Sequence, residues 1–215
     1  MKKFLLLFLT ATVALFLFSG CKKQVDYLNY ISEKRSNIYL YADDEYEIKI
    51  QVSQREVPYS TDGIRGEVSG FCEIFVTLPK NYDEVEIHAG NIEGEMNYRA
   101  VENCYYLSQS DGNIAGDSVL VTLTFNGESK EFTVISVLYD GVITCEEAVK
   151  CAIDYDGALF KSLTNKDIFL GEIFVRLLYD DGCYYYVGVC DRNKKITAYL
   201  IDGERGTVIA TKELG

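Results

Sequence analysis

The sequence predicts a mainly β chain: an antiparallel β-sandwich followed by a smaller α+β unit, one helix lying on a sheet of three to four antiparallel strands. Three observations predict it. From about Tyr39 to Tyr139 apolar and polar residues alternate in short runs with no helical period, which is the pattern of half-buried strands. After Tyr139 one amphipathic run appears, with Ala148, Cys151, Ala152, Tyr155 and Leu159 spaced at three and four. Three or four further strand-like runs then follow, separated by Asp- and Gly-rich turns.

The chain opens on an address. Lys2 and Lys3 form a positive start, and Phe4 to Phe18 is an apolar run. It falls short of the roughly 20 residues that span a bilayer, and it has the length of a signal-peptide core. Phe18-Ser19-Gly20-Cys21 resembles the lipobox of bacterial lipoproteins, in which small residues precede a Cys that is lipidated and becomes the new N-terminus. The resemblance implies lipidation at Cys21, with the acyl chains holding the protein on the extracytoplasmic face of a bacterial cell membrane. Removing Lys2 and Lys3 with the signal leaves 19 of the 21 basic side chains against 33 acidic ones, a net of −14. That balance argues against nucleic acid, whose phosphates need clustered Lys and Arg.

The expected parsing is a signal over 1–20, a lipidated N-terminus and tether over 21–36, the sandwich over 37–140 and the α+β unit over 141–215. In the sandwich, Tyr46, Ile48, Ile50 and Val52 alternate with Glu47, Lys49, Gln51 and Ser53. Cys72, Ile74, Val76 and Leu78 repeat the pattern until Pro79 ends it, and Val85 with Ile87 starts another strand. Val119 to Phe125 leads into Asn126-Gly127, a favoured hairpin pair, and Phe132 to Val137 returns as the partner strand. The arrangement is immunoglobulin-like in outline, without the customary core Trp.

In the α+β unit, Thr144 and Glu147 stand three apart ahead of the helical run, as in a capping box. Strands are expected over Glu172 to Leu178, Cys183 to Cys190, Ile196 to Ile201 and Thr207 to Thr211. In the turn Asp202-Gly203-Glu204-Arg205-Gly206, Asp202 is placed to accept from backbone donors two or three residues on, and Gly206 to supply positive φ.

The segment from about Val142 to Glu213 resembles a PepSY domain. The resemblance lies in Ile143-Thr144-Cys145-Glu146-Glu147-Ala148 at the helix start, in Tyr184 to Val189 at a central strand, and in Tyr199 to Ile209 as a strand, turn and strand. Arg205 stands where the family usually has Thr. The resemblance implies a non-catalytic binding or inhibitory module, with secreted peptidases as partners.

Chemistry-bearing residues are few. A single His removes every site that needs two. His88 as a base would need Cys72 or Cys104 beside it and an orienting carboxylate. Asp154-Tyr155-Asp156-Gly157 begins like a calcium loop but lacks its later ligands, and the acidic tips Asp43-Asp44-Glu45 and Asp180-Asp181 read as solvated turns. The six Cys after Cys21 show no C-x-x-C spacing and read mostly as small core residues. No phosphate loop, nucleophile elbow or zinc helix occurs. Neither a metal nor a cofactor is expected. Consecutive Tyr on a strand point to opposite faces, so Tyr184 and Tyr186 flank a core Tyr185 as the candidate binding residues. The expected function is therefore a membrane-anchored binding module for a protein or peptide such as a secreted protease. The alternative is a structural or adhesive surface module that binds glycan or another envelope component.

Overall fold

The computed structural model describes residues 25–57, 66–110, 112 and 114–215; the predicted signal peptide and Cys21 lie outside the described residues. The protein is mainly β, with 57% strand against 12% helix, and one large, largely antiparallel sheet dominates it.

Strand β1 (Ile31–Ala42) is the organising element. Along one edge it pairs antiparallel with β2 (Glu47–Val57), and the sheet continues through β3 (Glu67–Thr77) to β7 (Cys104–Ser110) and β6 (Asn97–Arg99). Its other edge is shared. Ile31 to Arg35 pair in parallel with β12 (Glu172–Tyr179), whereas Tyr39 and Leu40 pair antiparallel with β9 (Glu128–Ser136). From β9 the sheet runs to β8 (Ser118–Phe125), β4 (Val85–Ala89) and β5 (Ile92–Glu95). From β12 it runs to β13 (Cys183–Cys190), β14 (Ile196–Asp202) and β15 (Val208–Leu214). Two register shifts in β1, between Ile31 and Glu33 and between Arg35 and Asn37, accompany the change of partner.

Residues 31–36 were expected in a tether, and the structure corrects this: they are the first half of β1. Two of the three consecutive charges in Glu33-Lys34-Arg35 are paired. Glu33 meets Arg55 and Arg176, and Lys34 meets Glu146 at 3.1 Å. The parallel β1–β12 pairing likewise departs from the all-antiparallel expectation, and it carries the sheet without a break across residue 140.

Two cores sit beneath this sheet. Ile48, Ile50, Ile74 and Val76 from β2 and β3 pack with Ile87, Val121, Leu123 and Val134 from β4, β8 and β9. The second core lies under helix α1 (Cys145–Tyr155), whose Ala148, Val149 and Ala152 meet Ile173, Val175, Leu177, Tyr185, Val187 and Tyr199. Asp156 ends α1 earlier than the apolar period implies and caps α2 (Gly157–Ser162), its Oδ1 accepting from the Leu159 N–H at 3.1 Å. A hairpin of β10 (Thr164–Asn165) and β11 (Ile168–Phe169) leads to β12.

The expected capping box is present. The Thr144 hydroxyl accepts from the Glu147 N–H at 3.2 Å, and the Glu147 carboxylate accepts from the Thr144 N–H at 2.8 Å. Thr144→Ala is expected to cost about 1 kcal/mol of stability, read as a lowered urea midpoint at unchanged slope. An unchanged midpoint would mean that helix packing alone fixes the start of α1.

Candidate binding face

Strand alternation divides every side chain of this sheet between two faces. Both helices and the β4, β5, β8 and β9 strands pack on one of them, against Ile173, Val175, Leu177, Tyr185, Ile48, Ile50, Ile74 and Val76. The alternate residues point away from both cores. They are Tyr184 and Tyr186 on β13, Phe174 and Arg176 on β12, and Glu33 and Arg35 on β1. Lys49 and Arg55 on β2, Phe71, Glu73 and Phe75 on β3, Tyr106 on β7 and Arg99 on β6 continue the same set.

Glu33 is the hub. Its Oε1 accepts from Arg176 Nε at 2.5 Å, and its Oε2 accepts from Arg55 Nε at 3.1 Å, so one carboxylate ties β12 and β2 across β1. Burial pushes this carboxyl up, but the hydrogen bonds and charges of Arg176 and Arg55 outweigh it and hold the carboxyl below its ordinary value. Arg35 stands between Arg176 and Ser53 in register, and its Nε is buried without a hydrogen-bond partner. Burial and the neighbouring Arg176 push Arg35 down.

The cations lie on aromatic rings. Arg176 sits 5.3 Å from the Phe174 ring, which stacks on Tyr186 at 5.9 Å and 22°, and Arg55 lies 4.9 Å from Phe71. A second group stands further along β2 and β3. There Lys49 lies 5.1 Å from Phe75, and Arg99 lies 3.2 Å from Tyr106, whose hydroxyl donates to Glu73 at 2.9 Å. Each such contact contributes about 0.5–2 kcal/mol and fixes the orientation of the cation. The same face also carries Glu47, Glu67 and the buried Glu172, so its cations and rings are interspersed with carboxylates.

The predicted Tyr184 and Tyr186 both lie on this face, and Tyr185 is buried on the other with its hydroxyl donating to the Ile143 carbonyl at 2.5 Å. Sequence reasoning missed Glu33, Arg35, Arg55 and Arg176, which come together only through the pairing of three distant strands. The alternation of Phe71, Glu73 and Phe75 with core aliphatics was the one available signal.

The other candidates separate. His88 is exposed on β4, and its cross-strand neighbours are Glu93 and Thr122. Cys72 lies in the core with its thiol donating to the Gly112 carbonyl at 3.2 Å. Five of the six described cysteines are buried. Burial pushes Cys72 up to about 11, and burial with Glu146 nearby pushes Cys145 up to about 12, so both remain protonated thiols at neutral pH. The acidic turns are used locally. Asp43 Oδ1 accepts from the Glu45 and Tyr46 N–H groups, Asp156 Oδ2 accepts from the Tyr199 hydroxyl, and Asp202 Oδ1 accepts from the Glu204 and Arg205 N–H groups. Among the described residues no group of three or more His, Cys, Asp or Glu is placed to hold a metal ion. Comparison of the chain with protein-family models, with curated proteins and with solved structures gave no match.

Proposed function

We propose that this chain is a lipid-anchored extracytoplasmic binding module that engages its partner through the helix-free face of the sheet. The observation that carries this reading is the face itself. Arg and aromatic side chains recur along it from β6 to β13, interspersed with Glu47, Glu73 and Glu172, and Arg55 and Arg176 are half exposed. Arg, Tyr and Phe are the residues enriched at interface centres. The two strand runs closing over the first core support a sandwich for the N-terminal part. Helix α1 on β12 to β15, with its capping box and the Asp202 turn, supports a PepSY-like unit for the C-terminal part. A unit of that kind favours a protein partner, with a secreted peptidase as the leading case. No helix among the described residues is long and apolar enough to cross a membrane; the proposed anchor at Cys21 is carried by the resemblance of Phe18-Ser19-Gly20-Cys21 to a lipobox.

Two measurements test the reading. Cys21→Ser is expected to abolish incorporation of labelled palmitate and to move the protein from the membrane to the soluble fraction; retention at the membrane would remove the lipid anchor. For the binding role, the chain is expected to inhibit a peptidase secreted by the same cells, and Tyr184→Ala with Tyr186→Ala to weaken that inhibition by about tenfold. Absence of inhibition across those peptidases would sink the peptidase reading. The half-exposed rings of Tyr184 and Tyr186 carry glycan as the second reading, and silence on a glycan array would count against it.

A further inference from the structure

The chain leaves little slack beside its proposed anchor. Val25 and Tyr27 are packed against the second core, and Tyr27–Tyr30 forms a 3₁₀ turn. The Tyr27 ring meets Phe160 and Phe169 edge-on at 5.1 and 5.3 Å, its hydroxyl lies 3.3 Å from Thr164 Oγ1, and Tyr30 meets Phe169 at 5.4 Å. Cys21 precedes Val25 by four residues, a reach of at most about 14 Å. This junction lies at one end of the sheet, where β1 and β12 start, β13 ends and β14 begins. The β10–β11 hairpin lies there too, with Lys166 at its turn and Ile168 48% exposed beside Phe169.

We infer that the molecule stands on the membrane on this end, with the β10–β11 hairpin at the anionic lipid headgroups and the strands rising from the bilayer; the inference rests on the lipid anchor proposed above and assigns the surface that faces it. The tether decides which end is near. β12 alone has eight residues, roughly 25 Å, so a reach of about 14 Å from Val25 does not bring Cys21 to the far turns. Charge then decides between standing and lying. The near end is close to balanced: Lys161, Lys166, Arg192, Lys194 and Lys195, with Lys22 and Lys23 next to Cys21 in sequence, stand against Asp26, Glu56, Glu67, Asp167, Glu172, Asp191 and Glu213. The far turns, after β1, β12 and β14, carry Asp43, Asp44, Glu45, Asp180, Asp181 and Glu204, with Arg205 as their one cation. Lying flat would bring those turns onto anionic headgroups, within the Debye length of about 8 Å; standing keeps them clear. Ile168 and Lys166 give the hairpin an apolar side chain and a cation, the pairing that suits headgroup level. The helix-free face then opens sideways. Tyr186 is four residues along β13 from Cys190, about 13 Å above the near end, so a partner is met beside the bilayer.

The chain has no Trp, so single Trp variants of the lipidated full chain report position without background. Ile168→Trp is compared with Tyr179→Trp and Tyr184→Trp, which sit at the far end on opposite faces of the sheet. Each is placed in vesicles of phosphatidylcholine and phosphatidylglycerol whose acyl chains are brominated and quench Trp at contact range. Ile168→Trp is expected to lose at least about half of its emission, and each far-end variant less than about a tenth. Quenching of Tyr179→Trp or Tyr184→Trp as strong as that of Ile168→Trp would lay the molecule on its side and overturn the proposal. Absence of quenching in Ile168→Trp overturns it as well. Vesicle flotation separates the two readings. A chain that floats without quenching in Ile168→Trp loses the upright orientation and keeps its anchor, whereas a chain that does not float loses both.

Discussion

Glu33→Ala is expected to lower the unfolding free energy by about 2 kcal/mol at neutral pH, one of the two largest effects of a single substitution outside the cores. The carboxylate has 8% side-chain exposure and joins Arg176 on β12 to Arg55 on β2. Its removal leaves Arg55 and Arg176 without their paired carboxylate and takes one of two nearby counter-charges from the half-buried Arg35, Glu73 being the other. Breaking a fully buried pair costs about 3–5 kcal/mol, but Arg55 and Arg176 retain 48% and 37% exposure, so water recovers part of the loss. The pH dependence has a definite sign. The two Arg hold the folded carboxyl below its ordinary 4.5, so its contribution is fully present above that pH and is lost as pH falls through the lower, folded value. Urea titrations at pH 7 and below pH 4 should show the gap between wild type and Glu33→Ala narrowing on acidification. A gap under about 0.5 kcal/mol at pH 7, the range of an ordinary surface substitution, would show that the seam between β12 and β2 does not depend on this carboxylate.

The same residue shows where sequence reasoning stops. Local signals placed the C-terminal elements well. The strand expected over Cys183 to Cys190 has those ends, and the Thr144 cap starts the helix. Asn126 and Gly127 take positive φ of 53° and 78°, as the hairpin turn requires. Each of these depends on chemistry within a few residues. β1 depends on partners far away in sequence, Arg55 on one side and Arg176 on the other, and its three consecutive charges obscure the alternation that identifies a strand. Two register shifts within its length break the period further. Tyr184 and Tyr186 were legible because alternation around a core Tyr185 is local. The charged residues that share their face were not, because Glu33, Arg55 and Arg176 become neighbours only when β12 pairs with β1 in parallel.

Gly188→Ala is expected to destabilise the protein by about 2 kcal/mol and to disturb the binding face at the same time. A Cβ at Gly188 would stand 2.0 Å from Phe174 Cε2 and 2.4 Å from its Cζ, well inside contact distance. Gly188 lies directly across from Phe174 on the β12–β13 ladder, and the missing side chain is the space that the ring occupies. Phe174 has little freedom to yield: it is 5% exposed, stacked on Tyr186, with Arg176 over its ring. The added methyl must therefore push the ring outward, and the Arg176 guanidinium that pairs with Glu33 moves with it. A double-mutant cycle separates this steric cause from a general loss of strand stability. Phe174→Leu alone loses the ring stack, but in the Gly188→Ala background it relieves the clash. The double variant is then expected to be at least 1 kcal/mol more stable than the sum of the two single losses implies. Strict additivity would mean that Gly188 is required by the strand backbone and not by the ring, and that Phe174 has room elsewhere on the face.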